Sequence, residues 1–104
     1  MSIDTTFRPL GATQLVGVTP LQAADLSSGC STFRVRCITA GYLSWGDSNA
    51  VTAKGAPAAG APVADTIGMA AGAVAYLELP YNSWFISSVA DGFELTPGQG
   101  GTGG

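Results

Sequence analysis

The chain has 104 residues, with four Lys or Arg, seven Asp or Glu and no His, so 11% of it is charged and the formal net charge is −3; a water-exposed monomer of ordinary composition carries about 25%. So sparse and acidic a surface excludes tracking of a phosphate backbone, which needs clustered cations, and the lack of His excludes Ser-His-Asp and Cys-His nucleophile arrangements. No apolar run reaches the ~18 residues that span a bilayer and Met1 to Pro9 lacks a basic-then-apolar leader, so the chain is expected to be soluble and unexported, with neither membrane nor nucleic acid as partner.

In chain order, the segment up to residue 12 reads as an extended N-terminal arm, in which Ile3 and Phe7 are apolar anchors and Arg8 is a charge partner for a neighbouring molecule. Thr13 to Val18 reads as a strand. Thr19 to Leu26 is open to two readings: Thr19, Pro20 and Gln22 fit a helix start, but the stretch is too short to hold a helix alone, and an extended segment is preferred. Cys30 and Cys37 are the only cysteines. On one extended strand they would lie about 23 Å apart at about 3.3 Å per residue, beyond disulfide reach, so both are expected as free thiols unless a turn intervenes.

The clearest strand is Phe33 to Thr39, where Phe33, Val35 and Cys37 alternate with Arg34 and Arg36 to give one buried and one polar face. A second runs from Tyr42 to Trp45. Gly46, Asp47, Ser48 and Asn49 then favour a sharp turn before a short strand at Val51 to Ala53. From Lys54 to Gly72 the composition shifts to Ala, Gly and Pro, which reads as a long loop without a strand. Such a loop either lies against a neighbouring subunit or is a mobile surface segment.

Later strands are read at Ala75 to Leu79, Trp84 to Val89 and Phe93 to Thr96, with turns at Pro80 to Ser83 and at Asp91 and Gly92; the last two strands are expected to form a hairpin. Trp84 and Phe85 must point to opposite sheet faces. One of them is therefore covered by a loop or serves as an interface anchor. Residues 98–104, with five glycines, read as a flexible tail. The whole is one small all-β domain over residues 13–97, a β-sandwich of jelly-roll-like form with about six to eight strands.

No catalytic residue, metal site or cofactor is expected. Lys54 stands alone in a Gly/Ala loop, two thiols without His are too few ligands for zinc, and Asp65 lacks the dense oxygen spacing of a calcium loop. Asp25, Asp47, Asp65, Asp91 and Glu94 each lie within two residues of Gly, Ser or Thr, where carboxylates cap turns. Chemistry is thus left to surfaces, and the aromatics near turns, Trp45, Tyr81, Trp84 and Phe85, join Ile3, Phe7 and Arg8 as interface candidates.

The order of features in "FRVRCITAGYLSWGDSNAVTA", a small-residue loop, "AGAVAYLELP" and "SWFISSVADGFELTPGQ" resembles the small β-rich virion proteins encoded in the head gene clusters of tailed bacteriophages. The resemblance spans Phe33 to Gln99; the loop from Gly55 to Pro62 departs from the tighter connection expected, and the N-terminal arm is not covered. It implies a capsid decoration or cement protein, made in the host cytoplasm and bound on the capsid exterior. Its partners would be the major capsid protein and further copies of itself, as a homotrimer. Two other roles fit the composition: a neck, tail or fibre-base component, and a carbohydrate-binding module with Trp45, Tyr81 and Trp84 stacked on sugar rings beside Asp47 and Asn82.

Overall fold

The computed structural model describes residues 8–9, 12–22, 32–80 and 82–99. Among them are nine strands and no helix: β1 (Arg8–Pro9), β2 (Gln14–Val16), β3 (Leu21–Gln22), β4 (Thr32–Cys37), β5 (Gly41–Gly46), β6 (Thr66–Met69), β7 (Val74–Glu78), β8 (Trp84–Ser87) and β9 (Phe93–Gln99). They form two antiparallel sheets. Sheet A has the order β1-β9-β4-β7, with β2 also on β9, and sheet B the order β3-β8-β5-β6.

The pairing has a simple origin. β5 pairs with β6, β4 with β7, β3 with β8 and β2 with β9, so the chain is one long antiparallel ribbon doubled back at residues 47–65. Rolling that ribbon sends successive strand pairs to opposite sheets, and the new pairs β4·β9 and β5·β8 close them. The result is a β-sandwich with the strand order of a jelly roll, as expected for an all-β chain that must cover its sheet faces.

The inner faces follow from the period of two. Val16, Phe33, Val35, Cys37, Phe93 and Leu95 from sheet A meet Leu43 and Phe85 from sheet B, all fully buried, and Leu21, Trp45, Ile67, Met69, Leu77 and Leu79 pack around them. Each fully buried aliphatic or aromatic side chain contributes roughly 1.5–3 kcal/mol. The Phe33 and Phe85 rings meet edge to face across the sandwich, with centroids 5.4 Å apart and planes at 66°. Cys37 is a free, buried thiol. Its Sγ lies 3.2 Å from the Thr39 carbonyl, and burial pushes its pKa up against a smaller opposing effect of a backbone bond from Gly41.

Several expectations are corrected. The stretch from Lys54 to Gly72 contains a strand, β6: Ile67 and Met69 alternate toward the core, and the glycine between them accommodates a ring. A Cβ at Gly68 would lie 2.7 Å from Tyr42 Cε2. Val51 to Ala53 is not a strand, because Val51 is drawn onto Gly46, its Cγ2 3.3 Å from where a Cβ would stand there. β8 and β9 do not form a hairpin. They lie in different sheets, joined by an arch in which Asp91 takes a left-handed φ of 49° and Val89 N–H donates to Ser87 Oγ at 3.0 Å. A hairpin would put Phe85 and Phe93 in one layer, whereas the arch lets them face each other.

The domain limits also move. Arg8 and Pro9, read as arm, pair with Gln99 and Gly98, read as tail. β1 and β2 share β9 as partner and are separated opposite Pro97, which has no N–H to give a ladder. Ile3, Phe7, Asp25, Cys30, Tyr81 and residues 100–104 lie outside the described residues.

Candidate interaction face

The two outer faces of the sandwich differ. On sheet B, Ser44 and Ile86 point away from the core yet are 0% and 7% exposed, and residues 47–65 fold back onto Ser44. Ser44 Oγ is the anchor: it bonds Thr66 Oγ1 at 3.0 Å and accepts the Lys54 main-chain N–H at 3.2 Å. Lys54 Nζ in turn donates to the Ala64 carbonyl at 3.0 Å, and Trp45 N–H donates to the Asp65 carbonyl at 3.1 Å, with Asp65 held at a left-handed φ of 53°. Lys54, expected to stand unsupported, is half-buried and tied at both ends. The long loop is thus bound to its own sheet, and a cavity of about 280 Å³ lies between it and Trp45, lined by Asp47, Lys54 and Asp65.

On sheet A none of the described residues forms such a cover over the centre. Register places Leu15, Glu94, Arg36 and Val74 in one row across the outer face and Thr96, Arg34 and Tyr76 in the next. Leu15 is 49%, Val74 43% and Tyr76 39% exposed. Arg36 Nε donates to Glu94 Oε1 at 2.8 Å. That bond, more than Coulomb attraction, strengthens the proton's hold on Arg36, and it holds the Glu94 carboxyl below the usual carboxylate range against partial desolvation, with Arg36 and Arg34 charges adding to the effect. Glu94, expected to cap a turn, is instead a mid-sheet ion-pair partner. Farther along, Thr32 and Thr96 are buried and Thr13 Oγ1 bonds Thr96 Oγ1 at 2.8 Å. The open part is therefore an apolar rim around a charged pair, the mixed Arg/Tyr/aliphatic composition typical of protein-contacting surfaces.

The predicted site residues fall elsewhere. Phe85 is in the core at 0% exposure and is no interface anchor, because its register opposite Trp45 turns both inward. Trp45 packs against the core. Trp84 pairs with Gly46 and is half-buried on the outer face of sheet B. Trp45 and Trp84 thus point to opposite faces and do not form a shared stacking platform, and Asn82 is exposed in the turn before β8. Arg8 contributes its main chain to β1; Ile3, Phe7 and Tyr81 are outside the described residues. The residues that do converge, Leu15, Arg34, Arg36, Val74, Tyr76 and Glu94, carried one signal in the sequence: Arg34 and Arg36 oppose the buried parity of their strand.

Among the described residues no group of three or more His, Cys, Asp or Glu could hold a metal ion, and no helix is long and apolar enough to cross a membrane. No family model matches the chain, and neither a curated protein nor a solved structure does.

Proposed function

We propose that this chain is a structural virion protein that decorates a tailed-phage head, bound on the capsid exterior and bridging major capsid subunits through the outer face of sheet A. The observation that carries the reading is the asymmetry of the sandwich: the chain's own loop folds onto one outer face, and among the described residues the other presents Arg34 and the Arg36–Glu94 pair bordered by exposed Leu15, Val74 and Tyr76. A jelly-roll strand order agrees with the role without demonstrating it, since one fold hosts many functions. The mechanism is mass action. A protein that binds the assembled shell and not its free components stabilises the shell by RT ln(1 + [L]/Kd), about 2.7 kcal/mol per site at a hundredfold excess over Kd.

The test is binding of the purified chain to purified heads that lack it. Saturable, high-copy binding is expected, and it should be lost in Leu15→Asp and Arg34→Glu variants whose melting temperatures are unchanged. Heads that bind nothing, or that bind both variants as well as the native chain, would refute the reading.

A further inference from the structure

The cavity of about 280 Å³ between Trp45 and the turn that follows β5 is framed by hydrogen bonds of the main chain. Val51 N–H donates to the Ser48 carbonyl at 3.2 Å and Ala50 N–H to Ser48 Oγ at 3.2 Å, which closes the turn on itself. Lys54 N–H is fixed to Ser44 Oγ and Trp45 N–H to the Asp65 carbonyl, which ties both sides of the cavity to β5. A site built in advance in this way loses little ordering entropy on binding. Its walls are the half-buried Trp45 and the polar residues Asp47, Ser48, Thr52, Lys54 and Asp65. Among the described residues neither aspartate nor the Lys54 ammonium is in an ion pair. Lys54 Nζ donates to the Ala64 carbonyl, and an ammonium carries further N–H groups to give.

We propose that this cavity binds one neutral sugar ring, as a free monosaccharide or as the end residue of a glycan. The charge pattern selects the class. Two carboxylates oppose a phosphate or sulfate, and the unpaired Lys54 ammonium opposes an organic cation. A calcium ion takes about six to eight oxygens, but among the described residues no group of three or more His, Cys, Asp or Glu stands together. The Ala64 carbonyl is already taken, accepting from both Lys54 Nζ and Thr66 Oγ1. Hydroxyls both donate and accept, so a ring bearing several of them can give hydrogens to Asp47 and Asp65 and accept from Lys54 at once. Trp45 supplies the aromatic wall that small-molecule sites combine with a few placed polar groups. The volume falls just below the ~300–1,000 Å³ range of such sites, which leaves space for one ring and not for a chain of them. Trp84, on the opposite sheet face from Trp45, adds no second stacking surface. The proposal does not depend on the decoration role.

The experiment titrates the full chain, without heads, with glucose, mannose, galactose and N-acetylglucosamine and with the methyl glycoside of each. The readouts are the Ser48 and Asp65 amide NMR signals and the fluorescence of a Trp84→Phe variant, in which Trp45 is the remaining indole of two. Saturable shifts are expected with at least one of these sugars. Asp47→Ala, at an exposed position, and Asp65→Asn, which keeps a residue tolerant of the left-handed φ of 53°, should each weaken that binding roughly tenfold or more with an unchanged melting temperature. Asp91→Asn, at an exposed left-handed position outside the cavity, should leave it unchanged. Binding of the sugar without its glycoside would identify a free monosaccharide as the occupant, and equal binding of the two a glycan end. The proposal is overturned if none of the sugars shifts either readout, or if Asp47→Ala and Asp65→Asn bind as the native chain does. It is also overturned if calcium chloride, arginine or phosphate saturates the same amides and the sugars do not.

Discussion

Phe85 and Trp84 are neighbours on β8 with opposite fates, and replacing each with alanine tests the inward and outward assignment of sheet B directly. Phe85 is fully buried and meets Phe33 edge to face at 5.4 Å, so Phe85→Ala loses burial, leaves a cavity and breaks an aromatic pair. Large-to-small changes of this kind cost about 3–5 kcal/mol, of which the ring pair supplies about 0.5–1.5 kcal/mol. Trp84 is the larger residue but only half-buried, and it leaves no enclosed cavity. Roughly 100 Å² of its surface at about 25 cal/mol per Å² gives an upper value of about 2.5 kcal/mol. Against a total stability of about 5–15 kcal/mol, the two should separate clearly in urea. With a slope of ~1.5 kcal/mol per M, Phe85→Ala lowers the midpoint by roughly 2–3 M and Trp84→Ala by less than about 1.7 M. The assay is tryptophan fluorescence, since the chain has two Trp and Trp45, packed on the core, still reports when Trp84 is gone. A Trp84→Ala loss equal to or above that of Phe85→Ala would refute the facing of β8 and the core built on it.

Two further outcomes follow from the ion pair and from a tight glycine. The folded-state pKa of Glu94 is depressed below its unfolded value of about 4.3, first by the Arg36 hydrogen bond, so its stabilisation is complete above that value and is lost as pH falls through the lower folded pKa. Arg36→Gln should move the Glu94 midpoint, read by NMR titration, up toward the ordinary carboxylate range; an unmoved midpoint would show that the pair is not held in solution. A Cβ at Gly92 would lie 2.5 Å from Val89 Cγ2 and 2.6 Å from Ser87 Oγ, whereas one at Gly55 would meet nothing within 4 Å. Gly92→Ala should therefore destabilise by about 1–3 kcal/mol and Gly55→Ala stabilise by about 0.4–1 kcal/mol through the unfolded chain, with calorimetry as the check and equal effects as the contrary result.

What the sequence made legible was local. Alternation along Phe33 to Cys37 encodes which side chains enter the core, and the same parity sets Arg34 and Arg36 on the other face. What it hid was which sheet each strand joins, because that depends on turns whose geometry is not in the strand pattern. Asp91 and Gly92 fit a hairpin by residue type, but the buried faces of Phe85 and Phe93 require an arch between layers. β6 was masked by its neighbours: Gly68 and the surrounding alanines suggest loop composition, and only the tertiary partner Tyr42 explains why a glycine stands in that strand. The interface candidates failed for a related reason. Large aromatics near turns are equally good core and anchor residues, and register opposite Trp45 decided for the core at Phe85.

The asymmetry between the two outer faces follows from the ribbon topology. A ribbon doubled at residues 47–65 has one end free of strand pairing, and that end emerges from β5 and returns into β6, both in sheet B. A loop so placed can reach the outer face of sheet B over a few residues, and Ser44 on that face supplies both an acceptor for Lys54 N–H and a partner for Thr66. To reach sheet A it would have to cross the whole sandwich. The face left open is therefore the one carrying Arg34, Arg36 and Glu94, three of the eleven charged residues of the chain. An ion pair at the centre of that face keeps it wettable, while Leu15, Val74 and Tyr76 at its margins supply apolar area. Low overall charge and a single mixed face thus go together: the chain folds its own loop onto one outer face and, among the described residues, leaves the centre of the other uncovered.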